Sequence, residues 1–439
     1  MRNPAFHSVL LPLFIAAYSI FSGVATAQTG LPDFASTNAA TSAPYTSITE
    51  PAAPLTLTMA LKLALANSPD IAVARREYAA TEGALIQGQA RPNPELSFMQ
   101  EDTRNATRSS AMQVNLPIEM GGKRQARIDA AVRGRELAAA ELTQRQGEVR
   151  AAVIGGFFDV LSAQERIRLA QETLSLTQRV TDVTGKRVVA GKISPVEETK
   201  ARVAEAQVKI ELSQAQGDLR ISRQKLSALW GNATPRFERV DGAVVEMPEV
   251  PSVAALDGRV LTSPLLRRTE AELQRRVALT RVEQTKRTPD PTISLGLKRA
   301  PESTNQILFG VSIPLPFFDG NQGNLLEALR REDKARDEIT ANRLRLQSDA
   351  LQARERLLTA RTEVDALRNE VLPGAQSAYE AASKGFDAGK FSFLETLDAQ
   401  RTLIQARAQY LRALADTHRA ATEIERLLGD TSIEPNQKQ

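Results

Sequence analysis

Gly385-Phe-Asp-Ala-Gly-Lys-Phe-Ser-Phe-Leu-Glu-Thr-Leu-Asp-Ala-Gln-Arg401 and Lys186-Arg-Val-Val-Ala-Gly-Lys-Ile-Ser-Pro-Val-Glu-Glu198 are two copies of one pattern, 198 residues apart at the shared Ala-Gly-Lys. In each, a long heptad-patterned helix breaks at Ala-Gly-Lys, and a second helix begins behind a Ser and an acid. The two copies read as the tips of two helical hairpins.

Working outward, Val153, Val160, Ile167 and Leu174 recur seven apart, with Gly156, Ala163, Ala170 and Thr177 three residues after each. That is a heptad seam whose second position is small, suited to close helix approach. Ala350, Leu357, Val364 and Val371 repeat the seam 197 residues later. Between Arg124 and about Thr184 no Pro intervenes, so roughly 60 residues of helix would span about 90 Å. A turn from Gly185 to Ser194 follows, and Pro195 suits the first turn of a return helix to Trp230. Other echoes run through the chain: Ser68-Pro69 with Ser263-Pro264, Arg91-Pro-Asn-Pro94 with Thr288-Pro-Asp-Pro291, and Leu229-Trp-Gly231 with Leu427-Leu-Gly429. A nearly gapless duplication is the strongest signal in the sequence.

Ahead of each long helix the period changes from 3.6 to 2. Leu96 and Phe98 alternate with polar residues, as do Met112, Val114 and Leu116; in the second half Ile293, Leu295 and Leu297, then Ile307, Phe309, Val311 and Ile313, do the same. The expected organisation is a signal peptide (1–27), an extended segment (28–54) and a first repeat (55–231). That repeat holds strands at about 94–101 and 110–117 and a hairpin at 121–230. A connector (232–251) leads to a second repeat (252–429), with strands at about 291–298 and 306–314 and a hairpin at 321–428. A polar tail (430–439) ends the chain.

The N-terminal run from Val9 to Phe21, behind Arg2 and before Ala25-Thr26-Ala27, has secretory form, with cleavage expected after Ala27. It falls short of the roughly 20 residues a spanning helix needs. The chain has no Cys, so it is read as neither disulfide-stapled nor lipid-anchored. Its 56 basic and 52 acidic residues are interleaved, the pattern of solvated helix faces and not of a nucleic-acid partner. No catalytic constellation emerges. His7 lies in the signal, leaving His418; Gly191-Lys192-Ile193 and Gly389-Lys390-Phe391 lack the rest of a phosphate loop; and Ser222-Arg-Gln-Lys225 lacks its companion motifs. Neither enzyme chemistry nor a cofactor is expected, and dedicated transition-metal ligation has no Cys or clustered His to rest on.

Strands of this length, apolar on one face and polar on the other, match those of outer-membrane barrels. A four-stranded open sheet leaves backbone groups unpaired in lipid, so the chain is expected to oligomerise until a barrel closes. Three copies give twelve strands, wide enough for a channel. The polar faces (Ser97, Gln113, Asn115, Ser294, Ser312) would line it, and the charged helices would project beyond the membrane as a second, helical tube.

The order helix, strand pair, long helix, Gly-Lys turn and return helix, given twice, resembles the TolC-like outer-membrane efflux factors over nearly all of the mature chain. Pro117-Ile-Glu-Met-Gly-Gly-Lys-Arg124 and Ile313-Pro-Leu-Pro-Phe-Phe-Asp319 are similar to the CzcC-like branch that serves heavy-metal cation exporters. The resemblance implies a mainly α protein with a small β part. It implies a homotrimer whose twelve-stranded barrel crosses outer-membrane lipid and continues as a periplasmic α-helical barrel. The implied partners are a periplasmic membrane-fusion adaptor and a proton-driven inner-membrane pump of the RND type. A multidrug or secretion duct is the alternative within the class, and a periplasmic coiled-coil adaptor the alternative outside it.

Candidate residues gather at the tips. Glu395 and Asp398, three apart, share a helical face near the narrow end. The resemblance places them where members line the aperture, and threefold symmetry would make rings of carboxylates that draw cations. Capping is the other reading of Glu395, because Ser392 stands three residues before it. Asp387 is a further candidate. Glu197 matches Glu395, but Lys200 replaces the second acid. Where family members latch shut through a Tyr and an Arg, the resemblance aligns Phe386 and Phe391, candidates for an aromatic closure. The tip turns (Ala190, Gly191, Lys192, Ser194; Ala388, Gly389, Lys390, Ser392) are the implied adaptor contacts. Pro373-Gly374, which the first long helix lacks, is expected to kink the second as a hinge or as a static bend.

Overall fold

The computed structural model describes residue 50 and residues 54–429, except 103, 105–107, 243–246, 301–302, 389 and 392. The expected signal peptide, most of the extended segment, the polar tail, and Gly389 and Ser392 of the second tip therefore lie outside the described residues.

A two-residue strand β1 (Leu55–Thr56) leads directly into helix α1 (Leu57–Asn67), whose first turn is capped by the Thr56 hydroxyl. Ser68-Pro69 ends α1 and starts α2 (Pro69–Gln89), since Pro tolerates only a first turn. The strands β2 (Glu95–Glu101) and β3 (Ser109–Pro117) form an antiparallel pair. Helix α3 (Lys123–Val189) descends from them and α4 (Pro195–Ala228) returns. After β4 (Val240–Asp241) the plan repeats with α5 (Val253–Leu261), α6 (Pro264–Thr285), β5 (Thr292–Ala300), β6 (Ser303–Ser312), α7 (Gln322–Ala366), a π-helical turn (Leu367–Val371), α8 (Leu372–Asp387) and α9 (Phe393–Leu428).

The duplication is visible in backbone detail. Gly231 and Gly429, at φ 81° and 80°, each take up left-handed geometry against the ring of the matching proline, Pro69 or Pro264. At the tips, Ala190 donates to Lys186 O (3.1 Å) and Lys192 to Arg187 O (2.9 Å); Ala388 donates to Lys384 O (3.0 Å) and Lys390 to Gly385 O (2.8 Å). These bonds close the end of a helix whose last carbonyls have no intrahelical donors.

The four longer strands form one antiparallel sheet in the order β2-β3-β5-β6. Its register aligns apolar rows: Phe98, Met112, Leu297 and Ile307, then Leu96, Val114, Leu295 and Phe309. Every member of both rows is exposed in the single chain. On the opposite face Asn115 donates to Ser97 Oγ (3.3 Å) and accepts from Ser294 Oγ (2.7 Å). In the long helices the buried line runs through Val153, Val160, Ala163, Ala170, Thr177 and Thr184 of α3 and through Ala350, Leu357 and Val364 of α7. His418 of α9 stacks on Phe158 of α3, with ring centroids 3.8 Å apart.

Several expectations are corrected. The first turn is shorter than Gly185 to Ser194: α3 continues through Gly185 to Val189, and the left-handed residue is Gly191, at φ 67°. The return helix stops at Ala228, before Trp230. β6 begins at Ser303 and ends at Ser312, so Ile313 and Pro314 already belong to the loop into α7. The connector carries β4, which pairs in parallel with β1. The buried carboxylate of Glu50 fastens the same region, accepting from Trp230 Nε1 (2.8 Å), Asn232 Nδ2 (2.6 Å) and the Arg236 amide (2.5 Å). Finally, Val371 leaves the seam: the π turn holds one extra residue, so burial passes from Leu367 to Ala375 and Val371 is exposed.

Gly296 sits where β5 and β3 approach closely. A Cβ there would lie 2.6 Å from both the Met112 carbonyl oxygen and the Gln113 Cβ. Gly296→Ala is expected to destabilise the folded chain by about 1–3 kcal/mol, read as an earlier midpoint in denaturant unfolding.

Candidate functional site

The two tips meet through side chains that no repeat pattern marks. Ala201 of α4, Phe386 of α8 and Leu397 of α9 form a buried cluster, with Val180 of α3 and Ala204 of α4 packed against it. Arg187 of α3 lies over the Phe386 ring at 3.9 Å and donates to the Phe386 carbonyl oxygen at 2.9 Å. A guanidinium on an aromatic face, anchored by a charged hydrogen bond, gives a directional link between the hairpins. One turn higher, Gln400 of α9 donates to the Thr177 hydroxyl of α3 (3.0 Å) at a fully buried position. Arg407 of α9 then reaches Glu172 of α3 (3.5 Å), and Arg419 reaches Asp159 (2.8 Å).

Among the acids singled out by sequence, Glu395 and Asp398 lie exposed on the first turns of α9. Glu197 is placed differently. It pairs with Lys200 (3.1 Å), and its second carboxylate oxygen is buried without a hydrogen-bond partner. Its charge is offset by Lys200 of its own helix. Asp387 ends α8, and its side chain lies outside the described residues. The two aromatics also part company. Phe386 is 6% exposed and spent on the packing between hairpins, whereas Phe391 is 46% exposed, its ring lying over Gly385. A Cβ on Gly385 would fall 2.2 Å from that ring, which is why glycine stands there.

Ala190, Gly191, Lys192 and Ser194 are exposed at the first tip, as are Ala388 and Lys390 at the second. Above the first tip an open groove of about 740 Å³ runs between α3 and α4, lined by Asp182, Lys186, Glu198, Arg202, Glu205 and Lys209 among others. Its charges are internally matched: Arg202 pairs with Glu198 (2.6 Å) and Lys209 with Glu205 (2.8 Å). The hydrogen bond from Lys209 holds the Glu205 carboxyl below its usual range, so it stays ionised in mild acid. Pro373 is the second residue of α8, directly after the π turn, and a Cβ at Gly374 would meet nothing. Among the described residues no group of three or more His, Asp or Glu gathers into a metal-holding cluster, and no helix is long and apolar enough to cross a membrane.

A helical hairpin hung from a half-apolar strand pair, given twice in one chain, defines the building block of an outer-membrane duct. The comparisons carry that class to a family. The pattern described as "Outer membrane efflux protein" matches residues 60–232 and again 260–430, one match for each repeat. The chain belongs to the outer membrane efflux protein family. It is 49% identical over 381 residues to the cobalt-zinc-cadmium resistance protein CzcC of Cupriavidus metallidurans, covering 87% of this chain and 91% of that protein. It is 26% identical over 296 residues to the nickel-cobalt-cadmium resistance protein NccC of Alcaligenes xylosoxydans xylosoxydans, covering 65% and 66%. Among solved structures it is similar to CusC (TM-score 0.74, 18% identity, 85% of this chain and 92% of that one). It is also similar to the open state of the Neisseria gonorrhoeae outer-membrane channel MtrE (TM-score 0.72, 17% identity, 85% and 88%). The fold is therefore that of TolC-like outer-membrane channels, and the family and its neighbours are channel proteins.

The Arg187–Phe386 contact was invisible in the sequence, because Arg187 is one of several basic residues near the first tip and only the meeting of hairpins selects it. Arg187→Ala is expected to raise amide hydrogen exchange across the tip cluster by about tenfold, the loss of roughly 1–2 kcal/mol of local stability. Unchanged exchange would mean that the apolar cluster, and not the Arg187 contact, holds the tips together.

Proposed function

We propose that the chain is the exit duct of a heavy-metal cation efflux system, assembled from three copies that close a twelve-stranded barrel in the outer membrane and a helical tube in the periplasm. The observation that carries this reading is the pair of open edges. The sheet ends at β2 and β6, and its apolar rows face away from the Ser97–Asn115–Ser294 network. Lipid tolerates such a sheet only when its edges are paired and its apolar face is outward. The metal cargo follows from likeness to cobalt, zinc, cadmium and nickel resistance proteins. A cleaved signal after Ala27, no lipid anchor, a periplasmic adaptor at the tip turns and a proton-driven inner-membrane pump complete the proposal.

At the narrow end, Glu395 and Asp398 stand in rings of three carboxylates, with Asp387 beside them and Glu197 contributing less because Lys200 offsets it. Phe391, the more exposed aromatic, narrows the aperture, and Phe386 holds the hairpins in register. Pro373-Gly374 forms the bend about which the second hairpin swings.

Purified protein in planar bilayers is expected to show single channels that prefer cations. Glu395→Ala/Asp398→Ala should lower the cation-to-anion permeability ratio several-fold, and an unchanged ratio would reduce these acids to helix capping. Pro373→Ala is expected to shorten open times and lower metal tolerance in cells; conductance and tolerance equal to wild type would remove the hinge role. If no channel forms even after the tip turns are deleted, the duct reading itself fails.

A further inference from the structure

The polar face of the sheet carries very little charge. Register and alternation put Ser97, Met99 and Glu101 of β2 on the same side as Asn115 and Ser294, the side that lines the lumen in the proposed duct. Lys298 of β5 shares that side, because Ala111, its partner on β3, pairs in turn with Met99. Arg299 falls on the other face. Apart from Glu95 at the end next to the helices, Glu101 and Lys298 are therefore the only charged residues that the four strands turn to the lumen. Both stand far from the helices: α3 follows β3 after Pro117, whereas Glu101 and Ser109 face each other across the opposite end. In the duct that end is the outer mouth.

The two charges meet there. Lys298 Nζ lies 2.6 Å from Glu101 Oε2, and Ser109 Oγ donates to the same oxygen (2.9 Å). The bridge runs from β2 across β3 to β5, over Ser109 and Ala111, whose small side chains leave it room. The Glu101 side chain is 56% exposed and that of Lys298 26%. An ion pair this open adds little to folding stability. Its larger effect is on the field that a passing ion meets.

That field reaches the axis. Twelve strands about 4.8 Å apart and tilted by about 40° close a barrel of about 12 Å backbone radius. Inward side chains then bring three such pairs within about one Debye length, roughly 8 Å, of an ion on the axis. Three bare carboxylates at that level would hold divalent cations, and a channel conducts only where the ion can also leave. Three bare ammonium groups would repel them. The pair does neither.

We propose that Lys298 is a specificity-determining residue of the exit. By masking Glu101 it sets the net charge of the outer mouth at zero, so that cations drawn in at the narrow end are released and not held. The inference rests on the exit-duct reading and adds a second place where the charge of the cargo is read.

The chain has no native Cys, so a single thiol can report the local potential. Met99→Cys places it on the lumen face beside the bridge, and Phe98→Cys on the apolar face is the control. The full chain in isolated outer membranes is treated with a cationic and an anionic methanethiosulfonate of similar size, and the ratio of the two rate constants is measured. Lys298→Gln is expected to raise the cation-to-anion ratio at Met99→Cys several-fold, and Glu101→Gln to lower it several-fold. Glu101→Gln/Lys298→Gln should return it to the parent value, which loss of a merely structural staple would not do. Single variants that shift the ratio in one direction only, or not at all, overturn the role of Lys298 and leave the duct standing. A double variant as far from the parent as either single overturns it as well. A Met99→Cys thiol that reacts no faster than Phe98→Cys means that no water-filled lumen lies on that face, and the duct reading then fails together with the inference.

Discussion

Backbone groups at an open edge need partners, and most of this architecture answers to that constraint. β2 and β6 end the four-stranded sheet, and each presents a row of donors and acceptors that no described strand of the same chain takes up. In water such an edge is a liability; in lipid it is untenable. The proposed closure by three copies removes it, and in doing so makes the polar face of the sheet a lumen and the apolar face a lipid contact. The helical hairpins inherit the same arrangement, because each hangs directly from a strand pair.

The hairpins solve a different problem. Two helices of this length can lie close only where side chains are small, and the buried line of α3 from Ala163 through Ala170, Thr177 and Thr184 provides that. Small side chains bury little apolar area, so polar links supply direction along the joint: Arg419 to Asp159, Arg407 to Glu172, Gln400 to Thr177 and Arg187 to Phe386. A joint of this kind is well registered and weakly glued. That is the physical character a gate requires, since such contacts exchange for water at low net cost.

The asymmetry of the two repeats is concentrated at the second tip. The first tip neutralises Glu197 with Lys200 and ends a continuous helix. The second keeps Glu395 and Asp398 exposed, and lies beyond a π turn and a proline. In the proposed duct, the first hairpin is thus a fixed wall and the second the adjustable one.

Local patterns are legible wherever a residue acts through its own chain neighbours. The period-2 strands, the heptads, the Pro and Gly stops and the two tips depend on backbone preference within a few residues, and all could be read from the chain. The duplication could be read too, because the echoes preserve spacing over most of its length. What tertiary structure decided were contacts between residues far apart: Arg187 on Phe386, Glu50 under Trp230, and the parallel pairing of β1 with β4. It also decided the fate of Val371. A heptad count carries the seam through that residue, but the extra residue is stored in a π turn instead of being spread along the helix. That choice depends on how the hairpins pack, which no periodicity records.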